Sequence, residues 1–149
     1  MNQYYTGEYE FEPDENDDSY YVARLISGCE SLIFPTEYEG SPISAVYSDE
    51  DGVENRTAVR EVTVPEGIKY LYGPLFECFS ALEKISISST VEEIGAEAIS
   101  RCPRLTSISV SEENKTYKSV GGNLYSKDGK CFVGFIFLAY RYRGKAWAS

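Results

Sequence analysis

Val62-Thr63-Val64, Ile85-Ser86-Ile87 and Ile108-Ser109-Val110 recur at a spacing of 23 and then 23 residues. Each triplet runs apolar, polar, apolar, the period of two that marks a half-buried β-strand. Ile68 and Leu71 return 23 residues later as Val91 and Ile94, and Leu82 returns as Leu105. A unit this short cannot bury its own apolar face. The pattern therefore predicts stacked units, strand beside strand at about 4.8 Å, with apolar side chains in continuous ladders. Val62, Val64, Ile85, Ile87, Ile108 and Val110 are expected to point inward, and Thr63, Ser86 and Ser109 outward. The stretch Glu93 to Cys102 then returns the chain over the opposite side; it holds Ala96, Ala98 and Ile99 and reads as a short helix stopped at Pro103.

Working outward, an earlier copy emerges once insertions are allowed. Leu32-Ile33-Phe34-Pro35 matches the strand, Ile43 and Val46 match Ile68 and Leu71, and Val59 matches Leu82. Five extra residues fall between Pro35 and Ile43, where Gly40-Ser41-Pro42 signals a turn, and Asp49-Glu50-Asp51-Gly52 occupies a second insertion. Open solenoid ends expose strand edges and need caps. Tyr4, Tyr5, Tyr9 and Phe11, loosely alternating with Glu8, Glu10 and Glu12, predict an extended segment laying aromatics on the first repeat; Tyr20 to Ile26 is a second strand candidate. At the other end, Leu124-Tyr125-Ser126 and Cys131-Phe132-Val133 flank Lys127-Asp128-Gly129-Lys130, a hairpin turn. Gly121-Gly122 breaks the repeat rhythm, and Phe135 to Ser149 reads as a further unit that does not complete.

Ser89 to Leu105, with Val91, Ile94-Gly95, Ala98-Ile99, Cys102 and Leu105, resembles the BspA-like leucine-rich-repeat family of bacterial proteins, whose repeat runs strand-Pro-x-x-Val-x-x-Ile-Gly-x-x-Ala-Phe-x-x-Cys-x-x-Leu. The preceding copy departs from it: Tyr72 stands for Gly, Leu75 for Ala, and Cys78 lies one place early. Asn114 to Lys130 is similar to the irregular Asn-x-x-Tyr-x-Ser element that follows such repeats. The resemblance covers roughly Tyr20 to Phe132. It implies a secreted or cell-surface protein of a host-associated bacterium that mediates adhesion or protein–protein contact.

The expected fold is thus of the α/β class: a short right-handed leucine-rich-repeat solenoid, β-dominated, with a parallel sheet, short helical or irregular returns, capping segments and a C-terminal hairpin unit. One domain is expected over residues 1–149, with an N-terminal cap over 1–31, repeats over 32–110, and the hairpin unit with an incomplete repeat over 111–149.

Composition narrows the function. With 149 residues, 14 basic and 24 acidic side chains, the net charge is −10, which argues against nucleic acid or anionic lipid as partner. Histidine is absent, removing Ser–His–Asp and Cys–His nucleophiles, histidine zinc sites and imidazole switches. Cys29, Cys78, Cys102 and Cys131 form no Cys-x-x-Cys pair and read as isolated thiols, though their even number leaves disulfides open. Asp14 to Asp18 and Asp49 to Gly52 have oxygen-rich loop character but not the EF-hand spacing. Asn55-Arg56-Thr57 and Asn114-Lys115-Thr116 match the glycosylation sequon, in a chain that otherwise looks bacterial. No stretch has the form of a secretory signal, and the longest apolar run, Phe132 to Tyr140, is too short to span a bilayer. Surface location is therefore implied by the resemblance, with a cytoplasmic location still open.

What remains is the outward strand face. Glu61, Lys84 and Ser107 form one ladder and Thr63, Ser86 and Ser109 another, and these six are the candidate ligand-binding residues. The expected function is non-catalytic protein binding or adhesion, without cofactor or metal, toward a protein partner such as a host surface or matrix component. The alternatives are a structural spacer within a longer repeat protein and, less favoured, a carboxylate-dependent hydrolase. The 13 tyrosines serve either as core and cap residues or as a binding surface. Charge is split: residues 1–114 hold 7 basic and 23 acidic side chains, and residues 115–149 hold 7 and 1. Such polarity favours end-to-end self-association at low salt.

Overall fold

A computed structural model describes residues 4–130 and 132–134. The repeat triplets form one sheet: β3 (Ser31–Ile33), β6 (Glu61–Val64), β8 (Lys84–Ile87) and β10 (Ser107–Val110) lie side by side and parallel. Val62, Ile85 and Ile108 are exact lateral partners, as are Thr63, Ser86 and Ser109, so the 23-residue period is the register of the sheet. Val62, Val64, Ile85, Ile87 and Ile108 are buried and Val110 is half-buried against the same core.

The return carries a second parallel sheet. β2 (Tyr21–Ser27), β5 (Ser41–Tyr47), β7 (Tyr70–Tyr72) and β9 (Glu93–Ile94) follow one another laterally. Ala23, Val46, Leu71 and Ile94 form its inward ladder and meet the repeat-sheet residues in one core. The pattern Ile68-x-x-Leu71 is too sparse to announce a strand. Once the repeat sheet fixes the turn spacing, however, the next apolar positions are held laterally at strand distance.

The expected helix over Glu93 to Cys102 does not form. After β9 the chain continues through irregular turns, and the only helical element among the described residues is a 3-10 turn at Arg56–Ala58. The cause lies in hydrogen bonding. The carbonyls of Ala98 and Ser100 accept from the N–H groups of Phe76 and Cys78 one turn earlier, at 2.8 and 3.1 Å. Bonds directed between turns leave those carbonyls unavailable to an i→i−4 ladder. The return also needs a sharp corner: Asn55, Cys78 and Arg101, each 23 residues apart, all adopt left-handed backbone, with φ of 58, 63 and 57°. Cys78 therefore occupies the corner, and Phe79 fills the core place taken by Cys102 in the next turn.

Both insertions stay outside this frame. The first is a hairpin of β4 (Glu37–Tyr38) on β5, with its turn at Glu39-Gly40 rather than beginning at Gly40; both central residues have positive φ, the geometry of a type I′ turn. The second places Ser48 against Gly73. A Cβ at Gly73, where φ is 71°, would lie 2.3 Å from the Ser48 carbonyl oxygen. Gly73→Ala is expected to cost about 2 kcal/mol or more, through backbone strain and displacement of a buried neighbour, read as a lower urea midpoint. An unchanged midpoint would show that the Ser48 segment moves freely.

Each end is closed. β1 (Glu8–Pro13) runs antiparallel along β2, and its Tyr9 and Phe11 pack on the core, Phe11 stacking on Tyr38 at 4.3 Å. Thr6 covers the other sheet, bonding the backbone of Ser31 and Ile33 on β3. At the far end β11 (Tyr117–Val120), β12 (Asn123–Ser126) and β13 (Phe132–Gly134) form an antiparallel sheet with a tight turn at Gly121-Gly122. The Ile108 N–H donates to the Gly122 carbonyl, while the Tyr117 hydroxyl accepts from the Ile94 N–H at 2.9 Å, so this unit touches the last strand of both sheets. The expectations for Cys131 and for Phe135 to Ser149 lie outside the described residues.

Candidate functional site

The six candidate residues occur on the outward face of the repeat sheet as two lateral rows, Glu61–Lys84–Ser107 and Thr63–Ser86–Ser109. The first row is completed by Ser31 and the second by Ile33 from β3. Glu61, Lys84 and Ser109 are exposed, the other three half-buried. Ser109 and Ser86 are linked by a long hydroxyl–hydroxyl hydrogen bond of 3.4 Å.

A third row, immediately before the strands, was not singled out from the sequence although it shares the 23-residue period. It consists of Arg60, Glu83 and Thr106, preceded by Glu30. Arg60 and Glu83 form an exposed ion pair at 3.2 Å, and the Thr106 hydroxyl donates to the Glu83 carbonyl. The Glu30 carbonyl accepts from both Arg60 and Glu61 N–H groups, and the Glu83 carbonyl from those of Thr106 and Ser107. These paired bonds fix the start of each strand. The recess between the rows, about 450 Å³, is lined by Glu30, Ser31, Arg60, Glu61, Glu83, Lys84, Thr106 and Ser107. Three of the six candidates thus gather at one recess of mixed charge, while Thr63, Ser86 and Ser109 extend the flat face beside it.

Other candidate chemistry is absorbed by structure. The Cys102 Sγ donates to the Phe76 carbonyl at 3.1 Å, and burial pushes its thiol up to about 11, unlike a reactive cysteine. Asp14, Asp17 and Asp49 each accept a backbone N–H two residues on, which makes them turn formers of their own loops. Asn114 of the second sequon is completely buried and fully hydrogen-bonded. Tyr9 and Tyr117 pack in the core, while Tyr47, Tyr70 and Tyr72 lie on the outward side of the second sheet.

Two sheets of laterally stacked parallel strands wound around one core define a repeat solenoid. The chain belongs to the family described as the BspA type leucine rich repeat region, which matches residues 48–127 in six copies. A leucine-rich repeat protein from Bacteroides ovatus is structurally similar with a TM-score of 0.52 at 19% identity, over 72% of this chain and 29% of that one. The pneumococcal vaccine antigen PcpA aligns at 0.40 and 11% identity, over 87% of this chain and 57% of its own. A leucine rich cell surface protein from Faecalibacterium prausnitzii aligns at 0.33 and 12%, over 89% and 61%. This chain therefore spans under a third of the Bacteroides protein and under two thirds of the other two. Among curated proteins no sequence match is found.

Proposed function

We propose that this domain is a non-catalytic binding module of a bacterial surface or secreted protein, and that it holds a protein partner with the outward face of the repeat sheet. The observation that supports this most is the register itself. Glu61, Lys84 and Ser107, with Thr63, Ser86 and Ser109 beside them, present polar groups at fixed lateral spacing on a face held by the strand pairing. Such a face is preorganised, so binding loses little conformational entropy. Among the described residues the buried polar side chains, Ser27, Ser44, Ser48 and Asn114, carry no charge, which fits a non-catalytic reading. Family membership fits the surface reading.

The test is surface plasmon resonance of the whole chain against a panel of extracellular-matrix proteins. Lys84→Glu and Ser86→Tyr should each weaken any captured partner by about tenfold, the range of a central interface contact, without altering the melting temperature. Binding that both variants leave untouched would overturn the assignment of this face.

A further inference from the structure

The second sheet carries an outward face of different chemistry. Its lateral rows are Val22–Ala45–Tyr70–Glu93 and Arg24–Tyr47–Tyr72, given by the strand register. Small Ala45 stands between larger neighbours and forms the floor of a recess of about 620 Å³. Tyr70 and Tyr72, stacked at 5.7 Å, line one side, and the loop from Asp14 to Tyr20 lines the other.

Charge in this recess is one-sided. Glu12, Asp14, Glu15, Asp17 and Glu93 line it against a single cation, Lys69. Where these carboxylates have side-chain partners, the partners are neutral hydroxyls: Tyr47 donates to Glu12, Ser44 to Asp14 and Ser19 to Asp17. Among the described residues none of the five forms an ion pair; the ion pairs present use Glu10, Asp49 and Glu83 instead. One ring of the recess already meets a cation. The Lys69 ammonium sits 5.3 Å from the centroid of the Tyr20 ring, which is a cation–π contact made from within the recess. Desolvation, with Glu93 and Tyr70 adding to it, holds the Tyr72 hydroxyl above its ordinary pKa, so the phenol stays neutral.

We propose that this recess is a second docking surface, independent of the repeat-sheet face, and that its occupant is a polypeptide segment carrying Lys or Arg side chains. The cationic heads meet the carboxylates that make no ion pair, and their aliphatic stems lie along the Tyr70 and Tyr72 rings. A neutral glycan would also stack on tyrosines, but it would have no use for five carboxylates set against a single lysine.

The experiment is isothermal titration calorimetry of the whole chain with an acetylated, amidated (Lys-Ser)6 peptide, with (Glu-Ser)6 and cellohexaose as the other probes. Binding of the lysine peptide alone is expected, weakening at higher salt. Since any acidic protein attracts a cationic peptide, the decision rests on charge-matched variants. Glu93→Gln should weaken binding by about threefold or more, whereas Glu113→Gln, outside the recess, should change it by less than about twofold. Tyr72→Ala should weaken it by about fivefold and Tyr72→Phe hardly at all, because the ring and not the hydroxyl carries the contact. Lys69→Gln should tighten it. Equal effects of Glu93→Gln and Glu113→Gln would overturn the proposal as bulk attraction. Binding of cellohexaose in place of the peptide, or loss of peptide binding in Lys84→Glu on the opposite sheet, would overturn it too.

Discussion

Ile85→Asp is expected to abolish the cooperative unfolding transition, whereas Ser86→Asp one residue along should shift it by only a few degrees. Ile85 is fully buried at the centre of the four-stranded repeat sheet, with Val62 on one side and Ile108 on the other. Losing the side chain's packing alone costs about 2–5 kcal/mol for an aliphatic core residue cut to alanine. The carboxylate adds a desolvation cost with no donor nearby to offset it, and the whole stability of a domain is only about 5–15 kcal/mol. Position matters as well as burial. A solenoid is held by contacts between adjacent turns, so a defect in a central strand uncouples the turns on either side. Ser86 belongs to the outward row, and its lateral neighbours are Thr63 and Ser109. An aspartate there loses some strand propensity and a weak hydroxyl contact, together below about 1 kcal/mol. Thermal melts followed by circular dichroism decide the matter. Equal loss in both variants, or a normal transition in Ile85→Asp, would reject the assignment of inward and outward rows.

The contrast shows which features of the chain are written locally. The triplets at 62–64, 85–87 and 108–110 state both their strand character and their facing in three letters each, because a half-buried strand needs only alternation. Hence the repeat sheet, its register and its outward rows are legible before any coordinates. The second sheet is not, since Tyr70–Tyr72 and Glu93–Ile94 become strands by lateral pairing with neighbours dozens of residues away. The helix expected over Glu93 to Cys102 failed for the same reason: alanine content describes what a segment prefers alone, and here inter-turn bonds took its carbonyls. Of the candidate face, the residues inside the strands were legible. The row of Arg60, Glu83 and Thr106 was overlooked although its spacing was the available signal. The tyrosine recess depends on a loop, Asp14 to Tyr20, folding over a sheet that local patterns did not reveal.

Asn114→Ala should be the most damaging polar substitution, at about 3–5 kcal/mol. Asn114 is completely buried between the last regular turn and the C-terminal unit. Its Nδ2 donates to the carbonyls of Ser88 and Val91, at 2.9 and 3.1 Å. Its Oδ1 accepts from the N–H groups of Thr116 and Tyr117, both at 2.8 Å. The amide thus uses both donors and both acceptor sites, and it does so across a turn boundary where no ladder of backbone bonds is available. Alanine strands four backbone groups. Those of Val91 and Tyr117 lie deepest, and each unsatisfied buried group costs about 1–3 kcal/mol. Asn114→Asp separates the contributions: it keeps the acceptor but turns an ionised oxygen toward two carbonyls. Protonated, that carboxyl regains a donor, so its pKa in the folded state is raised above the unfolded value of about 4. The variant's deficit relative to the parent is then smallest below that pH and grows as pH rises through the folded pKa. A deficit independent of pH would mean that the side chain had left its buried site. Loss of the staple has a structural readout as well. The Tyr117 hydroxyl that covers the Ile94 N–H belongs to a residue only 3 positions on, itself held by Asn114, so amide exchange at Ile94 should quicken in both variants. An uncovered β9 edge is also a template for pairing with another chain, and concentration-dependent association should accompany the faster exchange.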